Sequence, residues 1–276
     1  MYCVGMHIVI GGMFCPFGVS AAYLLAHPGR QERMSSEDDV KQGRSCAPFL
    51  LERWLSMDQY RRRAFWFFLV MGVLFFTALV ARVLIPSEDV RLVLLIWQQL
   101  LFVVGGILGS RKEVFGPLNL GTVAWGLVCG LALYVVNTLL GSLTYVIARN
   151  ILGNQVVQDL ILSDRAGVES LLTSNKPLIV SGVMLLLVVG APLSEELFFR
   201  GLLADLLSER VGPRRAVLIA ALLFTVLHFY VLQFIPVLFA GIILGILFVR
   251  TENIFISIIA HAVVNAVTLL AWLLAL

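Results

Sequence analysis

Long apolar runs follow one another along the whole chain, separated by short polar turns. Each run is close to the roughly 20 residues that an α-helix needs to cross the hydrocarbon core of a bilayer. With 60% hydrophobic and 13% charged residues, the 276-residue chain is also far more apolar than a soluble globular domain. The sequence therefore predicts an all-α polytopic membrane protein with about eight transmembrane helices.

Eight spans are predicted from the positions of the runs. They lie at residues 2–26, 64–85, 91–109, 120–148, 178–207, 214–232, 235–249 and 254–275. We expect the first to be a retained helix and not a secretory signal peptide, because no Lys or Arg precedes Arg30 and Leu24-Leu25-Ala26 is a poor cleavage site. Residues 149–177 mix polar and apolar residues, which indicates a connector with a short helix on the membrane surface.

The distribution of charge predicts how the chain is oriented. Residues 27–63 form the one long polar segment, with eight Lys or Arg residues against six acids. Cytoplasmic loops are enriched in Lys and Arg, so this loop is predicted to be cytoplasmic. Alternation of the spans then assigns three further loops to the same side, at 110–119, 208–214 and 250–253. No basic stripe interleaved with aromatic residues is present, so we expect membrane lipid as a partner and no nucleic acid.

Three ionisable residues, Glu195, Glu196 and Arg200, lie inside the fifth apolar run. A charge at bilayer depth costs at least about 2.5 kcal/mol, so such residues normally face the interior of a helix bundle and mark a site. Glu196 and Arg200 are four residues apart with the acid first, which is the better order for an ion pair on one helix face. Glu195 points about a quarter-turn away and remains available for other chemistry.

Further polar residues recur at helical spacing in the spans that follow. His228 shares a helix face with Phe224, and a polar stripe in the last span comprises Ser257, His261, Asn265 and Thr268. Such a stripe inside an apolar helix must face protein or a cavity. At a rise of about 1.5 Å per residue, Glu195, His228 and Asn265 lie about 17 to 21 Å from the cytoplasmic ends of their helices. His261 lies about 10 Å from that end, so the four side chains can meet below the cytoplasmic face.

These residue types support hydrolysis of a peptide bond by an activated water molecule. A carboxylate in a low-dielectric cavity has a raised affinity for protons and suits a general base, and a neutral imidazole can share or relay the proton. Asn265, alongside His261, can donate hydrogen bonds to the developing oxyanion, a contribution of roughly 3 to 4 kcal/mol in a soluble protease. Glu196 with Arg200 is then the structural pair that positions Glu195.

The same residues form three motifs, which are Glu195-Glu196-x-x-x-Arg200, Phe224-x-x-x-His228 and His261-x-x-x-Asn265. In this order, on successive helices, they resemble the motifs of the CAAX-protease and bacteriocin-processing family of intramembrane proteases, over roughly residues 178–270. The resemblance implies an eight-helix glutamate-type endopeptidase that acts on a membrane-associated or lipidated peptide, in the manner of type II CAAX prenyl proteases.

The resemblance also implies roles for individual residues. Glu195 and His228 would activate the water, and His261 and Asn265 would stabilise the oxyanion. The residues that would support the site are Glu196, Arg200 and Phe224. The chain would then divide into a first helix and basic loop at 1–63, N-terminal membrane helices and the connector at 64–177, and a catalytic core at 178–276.

We expect no cofactor, although one alternative remains open. Glu195, His228 and His261 could in principle bind zinc. No His-Glu-x-x-His motif is present, and a metal-free mechanism is favoured.

Two non-protease interpretations also remain open. A binding or bacteriocin-immunity protein would keep the same fold and motifs and would sequester a peptide without cleaving it. A proton-coupled transporter would use the buried acids and histidines as a relay, but the charged cluster lies in one half of the chain only, without the internal repeat typical of transporters.

Several other polar, small and sulfur-containing residues are interpreted as structural. Gln98 and Gln99 are expected to hydrogen-bond to a neighbouring helix, and Gly241 and Gly245 to allow close helix packing. The four cysteines, at positions 3, 15, 46 and 129, are expected to be apolar fillers or free thiols, because they form no Cys-x-x-Cys pair.

Overall fold

The computed structural model describes residues 58–83 and 87–275, in which the regular elements are all helices. The predicted first span at 2–26 lies outside the described residues. The helices are α1 (Gln59–Val83), α2 (Glu88–Gly109), α3 (Leu120–Leu152), α4 (Asn154–Leu172), α5 (Pro177–Val211), α6 (Pro213–Val226), α7 (Phe234–Thr251) and α8 (Ile254–Leu274). The protein is thus an all-α polytopic membrane protein, as the sequence predicts.

Six of the described helices are long and apolar enough to cross a membrane, namely all except α4 and α6. α4 occupies the predicted surface connector. α6 is shorter than its predicted span at 214–232, because it ends at Val226 after 14 residues. The predicted figure of about eight spans is therefore approximate.

Polar caps and positive-φ glycines set several helix ends. The side chains of Asn119 and Asn253 accept hydrogen bonds from the first backbone N–H groups of α3 and α8, which otherwise have no partner within the helix. Gly212 has φ +79° and precedes Pro213 at the first position of α6. A glycine tolerates this angle without a Cβ penalty, so α5 and α6 can be joined by a single residue.

Small residues bring the C-terminal helices close together. A Cβ added to Gly130 of α3 would lie 2.7 Å from the Ala260 carbonyl oxygen of α8. Between α6 and α7, a Cβ on Gly245 would lie 2.8 Å from the Val217 side chain. These contacts confirm the expected packing role of the α7 glycines.

Aromatic side chains fill the core around the middle of α5. The rings of Phe102 and Phe198 stack with their centroids 4.6 Å apart, and Phe199 contacts Phe224 edge-on at 5.2 Å. All four are buried. This core holds α2 and α6 against the part of α5 that carries the Glu-Glu motif.

The loops predicted to be cytoplasmic share one end of the helix bundle. Arg63, at the start of α1, and Arg111, after α2, both contact the Asp205 carboxylate of α5, with N–O distances of 2.6 and 2.7 Å. The Asn253 side chain donates to the Pro117 carbonyl at 2.9 Å. The grouping of the loops therefore agrees with the alternation of the spans, and the compartment that they face stays a prediction.

Candidate active site

The Glu-Glu motif lies in a short α-helical segment between two π-helical segments of α5. The motif segment is Ala191–Glu196, and the flanking wide turns are Leu186–Gly190 and Leu197–Ala204. Pro192 has no N–H and cannot complete a regular helix here. Single π-helical turns inside α-helices occur frequently at functional sites. The apolar pattern of the run does not distinguish π from α turns, so the sequence does not predict these segments.

Asn265 of α8 contacts one of these wide turns. Its Nδ2 donates to the Leu187 carbonyl oxygen at 2.9 Å. In a π turn this oxygen would accept from the residue five positions later, which is Pro192 and has no N–H. Ala191 N–H already bonds to Leu186 O. Asn265 therefore satisfies a carbonyl that the proline leaves without a backbone donor.

Gln99 of α2 contacts the same turn. Its Nε2 donates to Leu186 O at 3.3 Å, so it bonds to a neighbouring helix as predicted. Gln98 is exposed, and within the described residues it forms no such bond.

Glu196 and Arg200 form the expected ion pair, and both are buried. Arg200 Nη1 lies 2.9 Å from Glu196 Oε1, and Nη2 donates to the Gly241 carbonyl of α7 at 3.1 Å. The Arg200 guanidinium also lies over the Phe224 ring, 4.6 Å from its centroid. The pair thus joins α5, α6 and α7 behind the site.

His261 also contacts Glu196, which the sequence did not predict. Its Nδ1 lies 2.9 Å from Glu196 Oε1. A carboxylate oxygen accepts, so Nδ1 carries the hydrogen and Nε2 is the ring atom free to face the site. The other oxygen, Glu196 Oε2, is buried and has no hydrogen-bond partner among the described residues.

His228 is oriented by a different acceptor. Its Nδ1 donates to the Phe224 carbonyl oxygen at 2.6 Å. In the neutral imidazole Nε2 then carries a lone pair. The residue lies two positions beyond the end of α6, in the turn that leads to α7.

Glu195 lies between the two histidines. Its Oε2 is 4.0 Å from His228 Nε2 and 4.0 Å from His261 Nε2. This distance is too long for a direct hydrogen bond and suits a bridge through one water molecule. The side chains of Glu195, His228 and His261 are 14%, 25% and 11% exposed, so the cluster is enclosed but reachable. Three of the four predicted catalytic side chains thus meet, while Asn265 bonds to the Leu187 carbonyl.

Tyr230 and Asp164 lie beside this cluster and were missed by the sequence analysis. The rings of Tyr230 and His228 have centroids 5.5 Å apart. Burial of the phenol, together with the negative charges of Glu195 and Asp164, raises the pKa of Tyr230 above its ordinary value. Both residues lie outside the motif helices, and the predicted span through residue 232 hid the loop that carries Tyr230.

The expectation that the site needs no zinc stays a prediction, and two features of the described geometry bear on it. Within residues 58–83 and 87–275, no group of three or more His, Cys, Asp or Glu side chains is arranged to hold a metal ion. Tetrahedral zinc at ordinary bond lengths brings its ligand atoms to about 3.4 Å from one another. The 4.0 Å separations around Glu195 are longer than this.

Comparison with known proteins identifies a family match for the C-terminal part of the chain. A family model described as type II CAAX prenyl endopeptidase Rce1-like matches residues 177–267. The match begins at the first residue of α5 and includes every predicted site residue, and it covers about a third of the chain. No curated protein and no solved structure matches the chain significantly.

Proposed function

We propose that the protein cleaves a peptide bond within the membrane by means of a water molecule activated by Glu195 and His228. The premise is the match of residues 177–267 to the Rce1-like family model of type II CAAX prenyl endopeptidases. The observation that carries the proposal is the position of Glu195 Oε2, which lies 4.0 Å from the Nε2 atoms of both histidines. A water molecule held there contacts a base and can attack the carbonyl carbon of a peptide bound beside it.

Glu195 and His228 act on the attacking water. Glu195 accepts a proton from the water as the new oxygen–carbon bond forms, and His228 Nε2 offers a lone pair through which the proton is shared. When the tetrahedral intermediate collapses, the carbon–nitrogen bond breaks and the leaving amine receives the proton. General base catalysis by a positioned group contributes about 10²- to 10⁴-fold to the rate.

His261 stabilises the oxyanion. Its Nδ1 bonds to the buried Glu196 carboxylate. A ring that also donates from Nε2 to the oxyanion carries a positive charge, and this carboxylate is its counter-charge. The Nδ1 of His228 contacts a neutral carbonyl, which gives no such charge stabilisation. The difference between the two acceptors supports assigning the base role to His228 and the donor role to His261. Asn265 has a second hydrogen on Nδ2 besides the one bonded to Leu187 O, and its role as a further donor is proposed from the family motif alone.

The substrate class follows from the location of the site and from the family. Glu195 and His261 lie on helices that are long and apolar enough to cross a membrane, so the substrate must reach them from lipid or from its surface. We propose a membrane-associated or lipidated peptide, with a prenylated C-terminal tail as the first candidate.

A cleavage assay with purified protein in lipid vesicles tests the proposal. Prenylated and unprenylated peptides are incubated with wild type, Glu195→Gln and a control, Glu113→Gln, which changes an exposed glutamate in the loop before α3. We expect Glu195→Gln to lower kcat about 10²- to 10⁴-fold, with the control unchanged. Full cleavage by Glu195→Gln, or no cleavage of any peptide by wild type, would overturn it.

Two further measurements, one in cells and one in the vesicles, test the two non-protease interpretations. An in vivo phenotype that persists in both Glu195→Ala and His228→Ala would support a binding or immunity role. Solute uptake by the vesicles without peptide cleavage would support a transporter.

Metal dependence is tested separately with a chelator. The proposed water chemistry needs no metal ion, so prolonged dialysis against 1,10-phenanthroline should leave kcat unchanged. Loss of activity that added zinc restores would replace this part of the proposal with a zinc mechanism.

A further inference from the structure

The loop between α6 and α7 contains a strained residue directly after His228. Within this loop the His228 and Phe229 N–H groups bond to the carbonyls of Thr225 and Val226 at 3.1 and 3.2 Å, which turns the chain sharply. Phe229 has φ +55°, in the left-handed region. A bulky residue rarely adopts this angle, and it persists only where the surroundings enforce it.

The Phe229 side chain does not provide this enforcement. It is 54% exposed, so the strained backbone is not held by burial of its own ring. The constraint must come from residues on either side of it in the loop.

Asp164 of α4 supplies such a constraint. Its carboxylate accepts from the backbone N–H groups of Val231, Leu232 and Gln233 at 3.0, 2.9 and 3.2 Å. These N–H groups lie just before and at the cap of α7, whose cap residue Gln233 makes no side-chain capping bond. A carboxylate at a helix N-terminus is favoured both by these donors and by the helix dipole.

We propose that Asp164 is a positioning residue for His228, an inference that rests on the proposed peptidase function. Its three charge-assisted hydrogen bonds fix Val231–Gln233, and this anchor holds Phe229 in its strained turn. The strained turn then fixes the position of the preceding residue, His228, whose Nε2 faces Glu195. Without Asp164 the strain at Phe229 is released and His228 moves away from the reacting water.

Substitution of Asp164 tests the proposal with a matched control. Asp159 lies on the same helix, and its carboxylate accepts a local 3.4 Å hydrogen bond from Gln155. We expect Asp164→Ala to lower kcat about 10- to 100-fold with little change in KM, because misplacement by about 1 Å has effects of this size. Asp164→Asn keeps one acceptor oxygen and should be intermediate, while Asp159→Ala should match wild type. Wild-type kcat in Asp164→Ala would overturn the proposal.

A second substitution separates positioning from general destabilisation. Glycine adopts positive φ readily, so in a Phe229→Gly background the loop has no strain to release. We therefore expect Asp164→Ala to lower kcat by at most about threefold in that background. Equal losses in both backgrounds would overturn the role of the strained turn. Asp164→Asn provides the same comparison if the alanine variant does not accumulate.

Hydrogen exchange measures the anchor without reference to catalysis. The amides of Val231, Leu232 and Gln233 should exchange at least about tenfold faster in Asp164→Ala than in wild type or Asp159→Ala. Unchanged exchange would refute the anchor itself. Faster exchange, with no peptide cleaved even by wild type, would refute the proposed function and leave Asp164 as a structural contact only.

Discussion

The buried ion pair behind the site combines two tasks in one carboxylate. Glu196 Oε1 contacts both Arg200 Nη1 and His261 Nδ1 at 2.9 Å. The first contact neutralises a buried guanidinium, and the second orients a proposed oxyanion donor. Removal of one partner of a buried pair costs more than removal of both, because an uncompensated charge remains. Stability and activity should therefore respond differently to single and double substitutions.

We expect Glu196→Gln to destabilise the protein by about 3 to 5 kcal/mol, because Arg200 is left buried and unpaired. Glu196→Gln combined with Arg200→Met should recover much of this loss but should not recover peptide cleavage, since His261 still lacks its carboxylate. Thermal unfolding in detergent and the cleavage assay measure the two effects. Recovery of both by the double variant would contradict the second role of Glu196.

A matched control is available at the exposed ion pair between Lys176 and Asp89, whose side chains are 55% and 62% exposed. Exposed pairs contribute little to stability, so Asp89→Asn should leave the unfolding midpoint close to that of wild type. A large loss there would show that the assay does not distinguish buried from exposed pairs.

Tyr230 provides a prediction that depends on pH. Its ordinary pKa of 10.0 is raised by burial and by the charges of Glu195 and Asp164, so the phenol stays protonated at neutral pH. In an absorbance titration of the phenolate, the difference between wild type and Tyr230→Phe should have its midpoint above pH 10. Because the unfolded chain loses this proton first, the contribution of Tyr230 to stability decreases as pH rises above about 10. A midpoint at or below 10 would contradict the burial of the phenol.

The sequence predicted single residues well wherever helical spacing was sufficient. Glu196 and Arg200 are on one helix, so their pairing follows from a separation of four residues. The contact between Glu196 and His261 joins residues 65 positions apart, and no periodicity within one helix contains that information. The roles of Asp164 and Tyr230 were missed for the same reason, since each depends on how a loop packs against a distant helix.

At the scale of elements, the wide turns of α5 show how one proline affects a neighbouring helix. Pro192 leaves the Leu187 carbonyl without a backbone donor, and Asn265 of α8 supplies the hydrogen bond at 2.9 Å. The sequence predicted the position of α5, because apolar runs identify membrane helices. It predicted the wrong end for α6, because Phe229–Leu232 are apolar enough to continue the run although the chain turns at Phe229.

Asn265 and Pro192 should be coupled energetically. Asn265→Ala leaves the part-buried Leu187 carbonyl without this donor and should cost about 0.5 to 1.5 kcal/mol. In a Pro192→Ala background the restored N–H can bond to Leu187 O, so the same change should cost less, with a coupling of at least about 0.5 kcal/mol. Thermal unfolding of the four proteins measures the coupling. Additive effects would show that the two residues do not share this carbonyl.

At the scale of the whole molecule, contacts at one end of the bundle connect loops that are far apart in sequence. Asp205 contacts Arg63 at the start of α1 and Arg111 after α2. The alternation of spans correctly grouped these loops, because each helix that crosses the bilayer returns the chain to the opposite side. The sequence did not predict which helices pack together, such as α3 against α8, because lipid-facing and protein-facing residues are both apolar.

The orientation of the bundle can be tested by labelling single cysteines from each side of the membrane. Native Cys46 lies in the loop predicted to be cytoplasmic, and Glu113→Cys would place a second reporter in the loop at 110–119. Arg165→Cys in α4 reports on the opposite end, because α4 follows α3 away from that loop.

In a background without the other cysteines, an impermeant maleimide should label positions 46 and 113 only in inside-out vesicles. It should label position 165 only in right-side-out vesicles, since the excess of Lys and Arg favours the cytoplasmic side. The reverse pattern would place His228, which lies nearer the α4 end, on the cytoplasmic side, so that a substrate made in the cytoplasm would approach from the end that carries Asp164.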